Sequence, residues 1–564
     1  MKLAAFGFLF AFFFSFFLIA KTTSQTIHKL KVSYKENMQT KEKVDKIAEE
    51  INQFSKKMGM NFLLNSLEND FFLTGIKKNT LSLTLFSIFE TSKKVSEIKK
   101  DLKKLEDIIK GISFEKISDD RYVFSNLNEV FFRNEKFLEK IEKDAKDLEK
   151  AIFGIEKDLE ILLESNLFSE STKEKILDCE NYLKSLKKFL EIVENSRFLI
   201  KEIFGIEKEK LYLVLFQNIS EKRPTGGFIG SFALLKVSNG EIAISDIGSS
   251  YKVVSKENIE PPEPIKLINQ TFEFRDGNYF FETKKSAETL EYLFGEKLDS
   301  IIFVNSNSFE EILKVSGPIF LDKNVATLTE ENFYTLFGYL GEIEYKNLGL
   351  ESKESKNFLK DVLNGILKKV EKKEVKIDGL ARVFLKLLNE KDIVFSFKDE
   401  KIDRFFGYFD WNGINLPKKE NYLALVETNI GGFKTSVSIE KTIEINSFCK
   451  NGILKNEIKI LYRNMGKYNF FEGNWRSFER AYLPNSANVE KISGIDSDLN
   501  ERRKSEILFE ESLSKVVGYW IELKPNEEKE IFLSYEIIGI KDCNTLFIRQ
   551  PGEKSIKVKH QELI

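Results

Sequence analysis

One stretch, Leu211 to Tyr251, restricts the fold of this chain more than any other. It begins with Leu211 to Phe216, an apolar run short enough for a buried strand. A second run, Phe228 to Val237, alternates in polarity and ends on Asn239-Gly240, a pair typical of a two-residue hairpin turn. Ile242 to Ile247 then predicts a returning antiparallel strand. The sequence therefore predicts a sheet nucleus in this stretch.

An unusual loop, RPTGGFIGS, joins the first two of these strands. Pro224 fixes one backbone angle, and the paired glycines allow left-handed angles and a close approach of the backbone to another group. Arg223 is a forked, permanently charged donor that suits phosphate or carboxylate. The alternative is that Arg223 pairs with a carboxylate and that the glycines only permit a tight bend. We predict an anion-binding loop formed by Thr225, Gly226, Gly227 and Ser231.

Two further charged spots supply the parts of a magnesium and pyrophosphate site. Arg275 and Asp276 follow one another between apolar residues, and Asp246 ends the hairpin strand. Carboxylates suit a hard cation, and arginines suit phosphate oxygens. We predict Arg223, Arg275 and Asp276 as catalytic residues, Asp246 and Asp276 as metal ligands, and Mg²⁺ as the candidate cofactor. The alternative for Arg275 and Asp276 is a plain salt bridge.

Five motifs follow one another along the chain, namely RPTGGFIGS, Phe274-Arg-Asp-Gly-Asn278, Leu298 to Leu321, Leu328 to Phe333, and Asn429 to Lys434. Their order resembles a bacterial family, the domain of unknown function 4012. The resemblance covers roughly residues 205 to 564, and such proteins also carry a helical region before it. It implies an architecture and a topology more than a chemistry, since that family has no settled activity.

The layout is also similar to that of the LytR-CpsA-Psr phosphotransferases. Those membrane-anchored, extracytoplasmic enzymes move glycopolymers from a polyprenyl pyrophosphate carrier to peptidoglycan. This chain departs from their pattern in two places. It has Thr225 where that family has an aspartate, and the segment around Asp246 lacks the arginine. The resemblance implies a shared fold and a possible phosphotransferase.

Composition excludes several classes of function. The 87 basic and 89 acidic residues nearly cancel, so no basic excess favours nucleic acid. His28 and His560 are the only histidines, which argues against a Ser-His-Asp triad and a histidine-ligated zinc site. The cysteines are Cys179, Cys449 and Cys543, and we expect them to pack in the core. One bridge, between Cys449 and Cys543, stays open if this part of the chain is exported.

The N-terminal half predicts an anchor followed by long helices. Leu3 to Ala20 is uncharged and long enough to cross a bilayer, so it is an anchor or a signal peptide, and we expect an extracytoplasmic body in the cell membrane. Apolar residues then recur at helical spacing, and one set, from Leu138 to Leu162, keeps a heptad repeat. The other three sets run from Val44 to Met58, from Val95 to Ile112 and from Ile176 to Val193.

Beyond residue 420 the pattern changes to short strands separated by turns, with Trp520 as a core candidate. We therefore predict a multidomain α+β chain with four parts. These are a membrane anchor or signal peptide (1–22), a coiled-coil helical stalk (23–205), an α/β sandwich resembling the LytR-CpsA-Psr fold (206–420), and an immunoglobulin-like β-sandwich (421–564).

Two functions fit these patterns. In the first, a cell-envelope protein binds a phosphorylated glycan or a polyprenyl pyrophosphate carrier and transfers the glycopolymer to an acceptor hydroxyl. In the second, a non-catalytic structural or interaction protein of the cell surface recognises a cell-wall polymer or a neighbouring protein. An apolar tunnel opening beside Arg223 favours the first function, and a covered, ion-paired Arg223 favours the second.

Overall fold

The computed structural model describes residues 100–563 with gaps, of which the longest are 105–112, 164–169, 321–326, 337–364 and 496–505. The apolar stretch from Leu3 to Ala20 and the predicted helix from Val44 to Met58 lie outside the described residues. Among the helices that are described, none combines the length and the apolar character that crossing a bilayer requires.

A mixed sheet of seven strands organises the first part of the molecule, residues 113–416, in the order β1-β2-β5-β4-β3-β6-β9. Neighbouring strands are antiparallel except for the parallel pair β3 and β6. The predicted hairpin turn is confirmed, since Asn239 and Gly240 both have positive φ. The strands are β1 (Ser113–Ser118), β2 (Arg121–Ser125), β3 (Lys210–Arg223), β4 (Gly226–Ser238), β5 (Glu241–Ser249), β6 (Ser300–Asn305) and β9 (Ile393–Phe397).

Both faces of this sheet are covered, as β6 illustrates. Ile302 and Val304 face one apolar core, and Ile301 and Phe303 face the other. A continuous apolar run is typical of such a strand because successive side chains point to opposite faces. The helices are α1 (Leu127–Arg133), α2 (Glu135–Leu163), α3 (Glu170–Ile203), α4 (Glu263–Lys266), α5 (Thr283–Phe294), α6 (Asn307–Ser316), α7 (Ile377–Asn389) and α8 (Glu400–Tyr408). A small ribbon pairs β7 (Ile319–Phe320) with β8 (Thr327–Leu328).

The long helices do not form a separate stalk. The heptad residues of α2 from Leu138 to Leu159 are buried, and α2 and α3 lie side by side, joined by ion pairs such as Lys187 with Glu156. Leu138 and Leu199, however, share one core with the sheet. Residues 113–125, which fall inside the predicted stalk, form β1 and β2 at the edge of that sheet. The helical hairpin is therefore part of the first domain's packing.

The second part, residues 421–563, is a sandwich of two five-stranded sheets. One has the order β15-β16-β13-β10-β18, and the other has the order β14-β17-β12-β11-β19. The strands are β10 (Tyr422–Asn429), β11 (Ile439–Lys450), β12 (Ile453–Asn464), β13 (Trp475–Pro484), β14 (Asn488–Ser493), β15 (Glu506–Glu511), β16 (Ser514–Leu523), β17 (Glu528–Ile538), β18 (Leu546–Ile548) and β19 (Ile556–Leu563).

This sandwich is not immunoglobulin-like. Strands β11 and β12 form a hairpin within one sheet, whereas the second and third strands of an immunoglobulin domain lie in opposite sheets. Trp475 lies in the core between the sheets. Trp520 is buried beside Phe478, on the face of β13 and β16 that turns away from that core. Cys449 is disulfide-bonded, and Cys543 lies outside the described residues.

The predicted fold class therefore requires correction. The described residues form a mixed α+β structure with several sheets and no membrane-spanning helix. The helical segment joins the first domain, and the sandwich has its own strand order. Periodicity located most strands and helices, but it carries no information on which faces meet, and the predicted stalk and the immunoglobulin topology failed at that step.

Candidate functional site

The RPTGG sequence lies at the boundary between the two parts of the molecule. Strand β3 ends at Arg223, a turn follows at Pro224 and Thr225, and β4 begins at Gly226. The end of β3 packs against the sandwich, where the Lys222 backbone N–H donates to Ser436 Oγ over 3.2 Å. The predicted loop is therefore a tight hairpin end enclosed between two domains.

Arg223 is sealed at this boundary, with only 2 % of its surface exposed. Its Nη1 donates to the backbone carbonyl of Asn429 in the sandwich. Its Nη2 donates to Glu221 Oε1 over 3.2 Å and lies 3.5 Å from Asp276 Oδ1. The ring of Phe228 lies 5.4 Å from the guanidinium carbon. The guanidinium thus joins a carbonyl, two carboxylates and an aromatic ring.

Asp276 brings the two predicted arginines together. Its carboxylate is 1 % exposed and accepts from Asn269 Nδ2 over 2.6 Å. Arg223 approaches one of its oxygens, and Arg275 Nε lies 3.9 Å from the other. Arg275 is partly exposed and stacks its guanidinium 4.6 Å from the ring centre of Tyr251. Three of the predicted site residues therefore converge, with the carboxylate between two guanidinium groups.

The hydroxyl of Thr225 and the carbonyl of Gly227, in the predicted anion-binding loop, accept hydrogen bonds from the protein's own side-chain amides. Gln217 Nε2 and Asn278 Nδ2 both donate to Thr225 Oγ1, over 2.6 and 3.0 Å. The same two amides donate to the Gly227 carbonyl over 3.1 and 2.9 Å. Ser231 lies further along β4, in register with Phe216.

Gly226 is required by a close approach. It has φ +134°, and an added Cβ would lie 2.0 Å from Asn305 Oδ1. Gly552 approaches the same amide from the C-terminal side of the chain, since its Cβ would lie 3.4 Å from Asn305 Nδ2. The RPTGG turn, the end of β6 and the C-terminal segment thus meet around one asparagine.

Asp246 does not join this cluster. It is exposed on β5, in register with Leu234 of β4. Asp276, by contrast, is 1 % exposed and lies against Arg223. The Asp276 oxygens also already face Arg223, Asn269 and Arg275.

A buried charge cluster, which the sequence analysis missed, lies beside Arg223. Lys222 Nζ is 2.8 Å from Glu553 and 3.8 Å from Glu427. Lys441 Nζ is 2.8 Å from Glu427, 3.5 Å from Glu479 and 3.5 Å from Glu553. Burial raises the pKa of Glu479, while Lys441 opposes that shift and Glu427 adds to it. Lys441 stands between Ile439 and Ile443, whose side chains face the sandwich core, and that alternation was the available signal.

A cleft of about 610 Å³ opens at the same boundary. Helix α7, the start of β9 and residues 546–554 line it, together with Asp410, Ile414 and Asn415. Its most buried acid is Asp392, which is 2 % exposed and whose Oδ2 has no hydrogen-bond partner among the described residues. Burial raises the pKa of the Asp392 carboxyl to about 6, against the opposing influence of the Asn307 amide, Lys554 and Asn305.

The asparagines near Asp392 are also unsatisfied. Both amide atoms of Asn307 and the Oδ1 of Asn305 are buried and make no hydrogen bond within the described part of the chain. Asn305 is the last residue of β6, and Asn307 follows that strand. Asp392 immediately precedes β9, which pairs with β6. The Asn305 backbone N–H donates to the Asp392 carbonyl over 2.9 Å, which ties these two strand ends together.

Residues 207–339 match the family described as protein of unknown function (DUF4012), which is the family that the motifs predicted, over part of the predicted range of 205 to 564. No curated protein matches the chain. The resemblance to the LytR-CpsA-Psr phosphotransferases finds no support in these comparisons.

Proposed function

We propose, from the premise that residues 207–339 place this chain in the DUF4012 family, that it is a non-catalytic binding or interaction protein of the cell surface. Its two parts act as one rigid recognition unit joined at Arg223. The observation that carries the proposal is the enclosure of Arg223, whose donors face Asn429, Glu221 and Asp276.

A phosphotransferase needs cationic groups that face the transferring phosphate, and usually a metal held by carboxylates. Arg223 is covered, and Asp276 is neutralised by neighbouring cations and an amide donor. Asp246, the other proposed metal ligand, is exposed at a distance. This arrangement supports a structural role for the three motif charges over a reaction at phosphorus.

A location outside the cytoplasm is supported by the bond at Cys449. Structural disulfides persist in oxidising compartments and are rare in the cytosol of most organisms. An exported recognition module also needs no catalytic group. Its partner class remains the predicted one, a cell-wall polymer or a neighbouring surface protein.

The test separates a structural from a phosphate-binding role of Arg223. Wild-type protein is titrated calorimetrically with farnesyl pyrophosphate and Mg²⁺, and we expect no binding. Arg223→Ala should lower the free energy of unfolding by about 3 kcal/mol, because it leaves Asp276 buried with one cation fewer. Arg463→Ala, which removes an exposed partner of Glu528, is the matched control and should cost about 0.5 kcal/mol.

Binding of farnesyl pyrophosphate to the wild type would overturn the proposal if Arg223→Lys folds normally and abolishes that binding. Such a result would reinstate the glycopolymer-transferase function. Equal stability of Arg223→Ala and the wild type would also contradict the role of Arg223 in joining the two domains, because removing a buried guanidinium with several hydrogen bonds lowers the free energy of unfolding.

A further inference from the structure

Proteins rarely bury polar atoms without partners, because each such atom loses its hydrogen bonds to water. Around the interdomain cleft, this occurs at three neighbouring side chains, namely Asn305, Asn307 and Asp392. Elsewhere at the same boundary, Gln217 Oε1, Asn278 Oδ1 and Arg223 Nε are also unsatisfied. Of the residues that carry such atoms in the described part of the chain, Asp392 is the one that lines the cleft.

The cations that line the cleft are of two kinds. Lys386 pairs with Glu311 over a short contact, and Lys391 lies 3.0 Å from Asp410. Arg549 and Lys554 line the same cleft and are exposed, and neither has an ion pair among the residues that the structure describes. Arg549 and Lys554 thus offer positive charge to an incoming anion, and Lys554 also acts on the Asp392 carboxylate.

The size and lining of the cleft restrict the ligand further. Its volume of about 610 Å³ lies within the range that holds small molecules, and such sites occur preferentially between domains. Phe547 is the only aromatic residue of the lining, so a stacked nucleobase is disfavoured. Ile414, Leu546 and Ile548 offer an apolar wall for the C–H face of a ring.

We propose that the interdomain cleft binds a hydroxyl-rich anion of monosaccharide size, a sugar phosphate or a uronate. Arg549 and Lys554 hold the anionic group, and Asp392 accepts hydrogen bonds from ring hydroxyls. The inference rests on the proposed function, since it gives the recognition unit a ligand class, and it places that ligand away from Arg223.

The experiment uses full-length protein and four probes in calorimetric titrations. Glucuronate and glucose 1-phosphate carry both the hydroxyls and the charge, whereas glucose and inorganic phosphate each lack one of these features. We expect the two sugar anions to bind at least tenfold more tightly than either control probe, because charge-assisted hydrogen bonds add to those of the hydroxyls. A preference between the two anions distinguishes a phosphate from a carboxylate ligand.

Variants locate the site. Arg549→Ala combined with Lys554→Ala should weaken binding of the sugar anion at least tenfold and lower the stability only slightly, since both side chains are exposed. Lys557→Ala, an exposed lysine outside the cleft lining, is the matched control and should not alter affinity. Asp392→Asn should lower the affinity for the sugar anions relative to the affinity for inorganic phosphate, because it removes an acceptor for the ring hydroxyls.

Two results would overturn the inference. One is a failure of both sugar anions to bind the wild type at about 10 mM, where even weak sites fill. The other is equal affinity of the wild type and the double variant. Neither result affects the titration with farnesyl pyrophosphate, so failure of the cleft and failure of the proposed function are distinguishable.

Discussion

Two regions near the domain boundary bury charged side chains, but only one of them pairs those charges internally. In the cluster around Lys441, three carboxylates lie within 3.5 Å of one ammonium. In the cleft, the Asp392 carboxylate has an oxygen without a hydrogen bond, and Lys554 is the cation that lowers its pKa. The charges of the first cluster are paired internally, and Lys222 of the first domain takes part in that pairing. The proposed ligand site needs the second arrangement, because only an unpaired group can accept hydrogen bonds from a ligand.

The strongest way to break this comparison is to remove the central cation of the paired cluster. Lys441→Ala leaves Glu427, Glu479 and Glu553 close together without their shared ammonium. We expect the free energy of unfolding to fall by about 4 kcal/mol, because an uncompensated buried charge is costly. Urea denaturation at pH 7 measures it.

Lys455→Ala is the control for that experiment, because it removes an exposed lysine that pairs with Glu490 and Glu457. Its expected effect is below about 1 kcal/mol. If Lys441→Ala lowered the unfolding free energy as little as this control does, water would be solvating the cluster, and its ion pairs would not be a buried, stabilising network.

The RPTGG turn offers a steric test of the same boundary. Gly226→Ala places a methyl group against the Asn305 side chain, at a residue whose φ of +134° disfavours any side chain. We therefore expect the free energy of unfolding to fall by about 3 kcal/mol. Gly230→Ala is the matched control in the same sequence motif, since its Cβ would have nothing within 4 Å. Thermal unfolding of both variants should separate them by several degrees, and similar melting temperatures would refute the close approach.

Much of the local structure followed from the sequence. The strand at Leu211 to Phe216, the hairpin at Asn239-Gly240 and the buried strand at Ser300 to Asn305 all depend on period-two patterns or turn residues, which are local properties. Arg223, Arg275 and Asp276 were predicted to share one site with Asp246, and these three lie together whereas Asp246 is exposed on β5.

The predictions that were wrong depend on contacts between segments that are distant in the sequence. Helix α3 has an apolar face that serves the sheet as well as α2, and a heptad pattern does not distinguish those two uses. The cover over Arg223 comes from Asn429, more than two hundred residues later. Gln550, whose amide donates to the Arg223 carbonyl over 2.8 Å, is farther still. Neither distance leaves a signal in a single sequence.

Asp392 should respond to mutation in the direction opposite to that of Lys441. Its pKa rises from 3.8 to about 6 in the folded protein, so the ionised form is disfavoured there, and stability falls as pH rises through that interval. That difference corresponds to about 3 kcal/mol, and Asp392→Asn should gain up to this amount at pH 8.

The advantage of Asp392→Asn should vanish below about pH 4, where both states of the wild-type protein are protonated. Urea denaturation at pH 8 and at pH 3.5 checks the sign. Glu390 raises this pKa and Lys554 lowers it, so Lys554→Ala should enlarge the effect. A destabilised Asp392→Asn variant at pH 8 would mean that the carboxylate has an internal partner, and the contrast with the Lys441 cluster would disappear.

Arg275 should give the smallest effect, and it sharpens the comparison within one ion pair. It touches the same carboxylate as Arg223, yet it is partly exposed. Its other contacts are the ring of Tyr251, the carboxylate of Glu273 and Asn269 Oδ1, to which its Nη2 donates over 3.1 Å. Arg275→Ala leaves Asp276 with Arg223 and Asn269, so we expect a loss of about 1 kcal/mol, against about 3 for Arg223→Ala. Arg275→Lys, which keeps the charge, should recover about half of it. Equal losses of unfolding free energy for the two arginines would show that solvent exposure does not decide how much an arginine stabilises Asp276. The distinction between buried and exposed cations would then fail at its most closely matched pair.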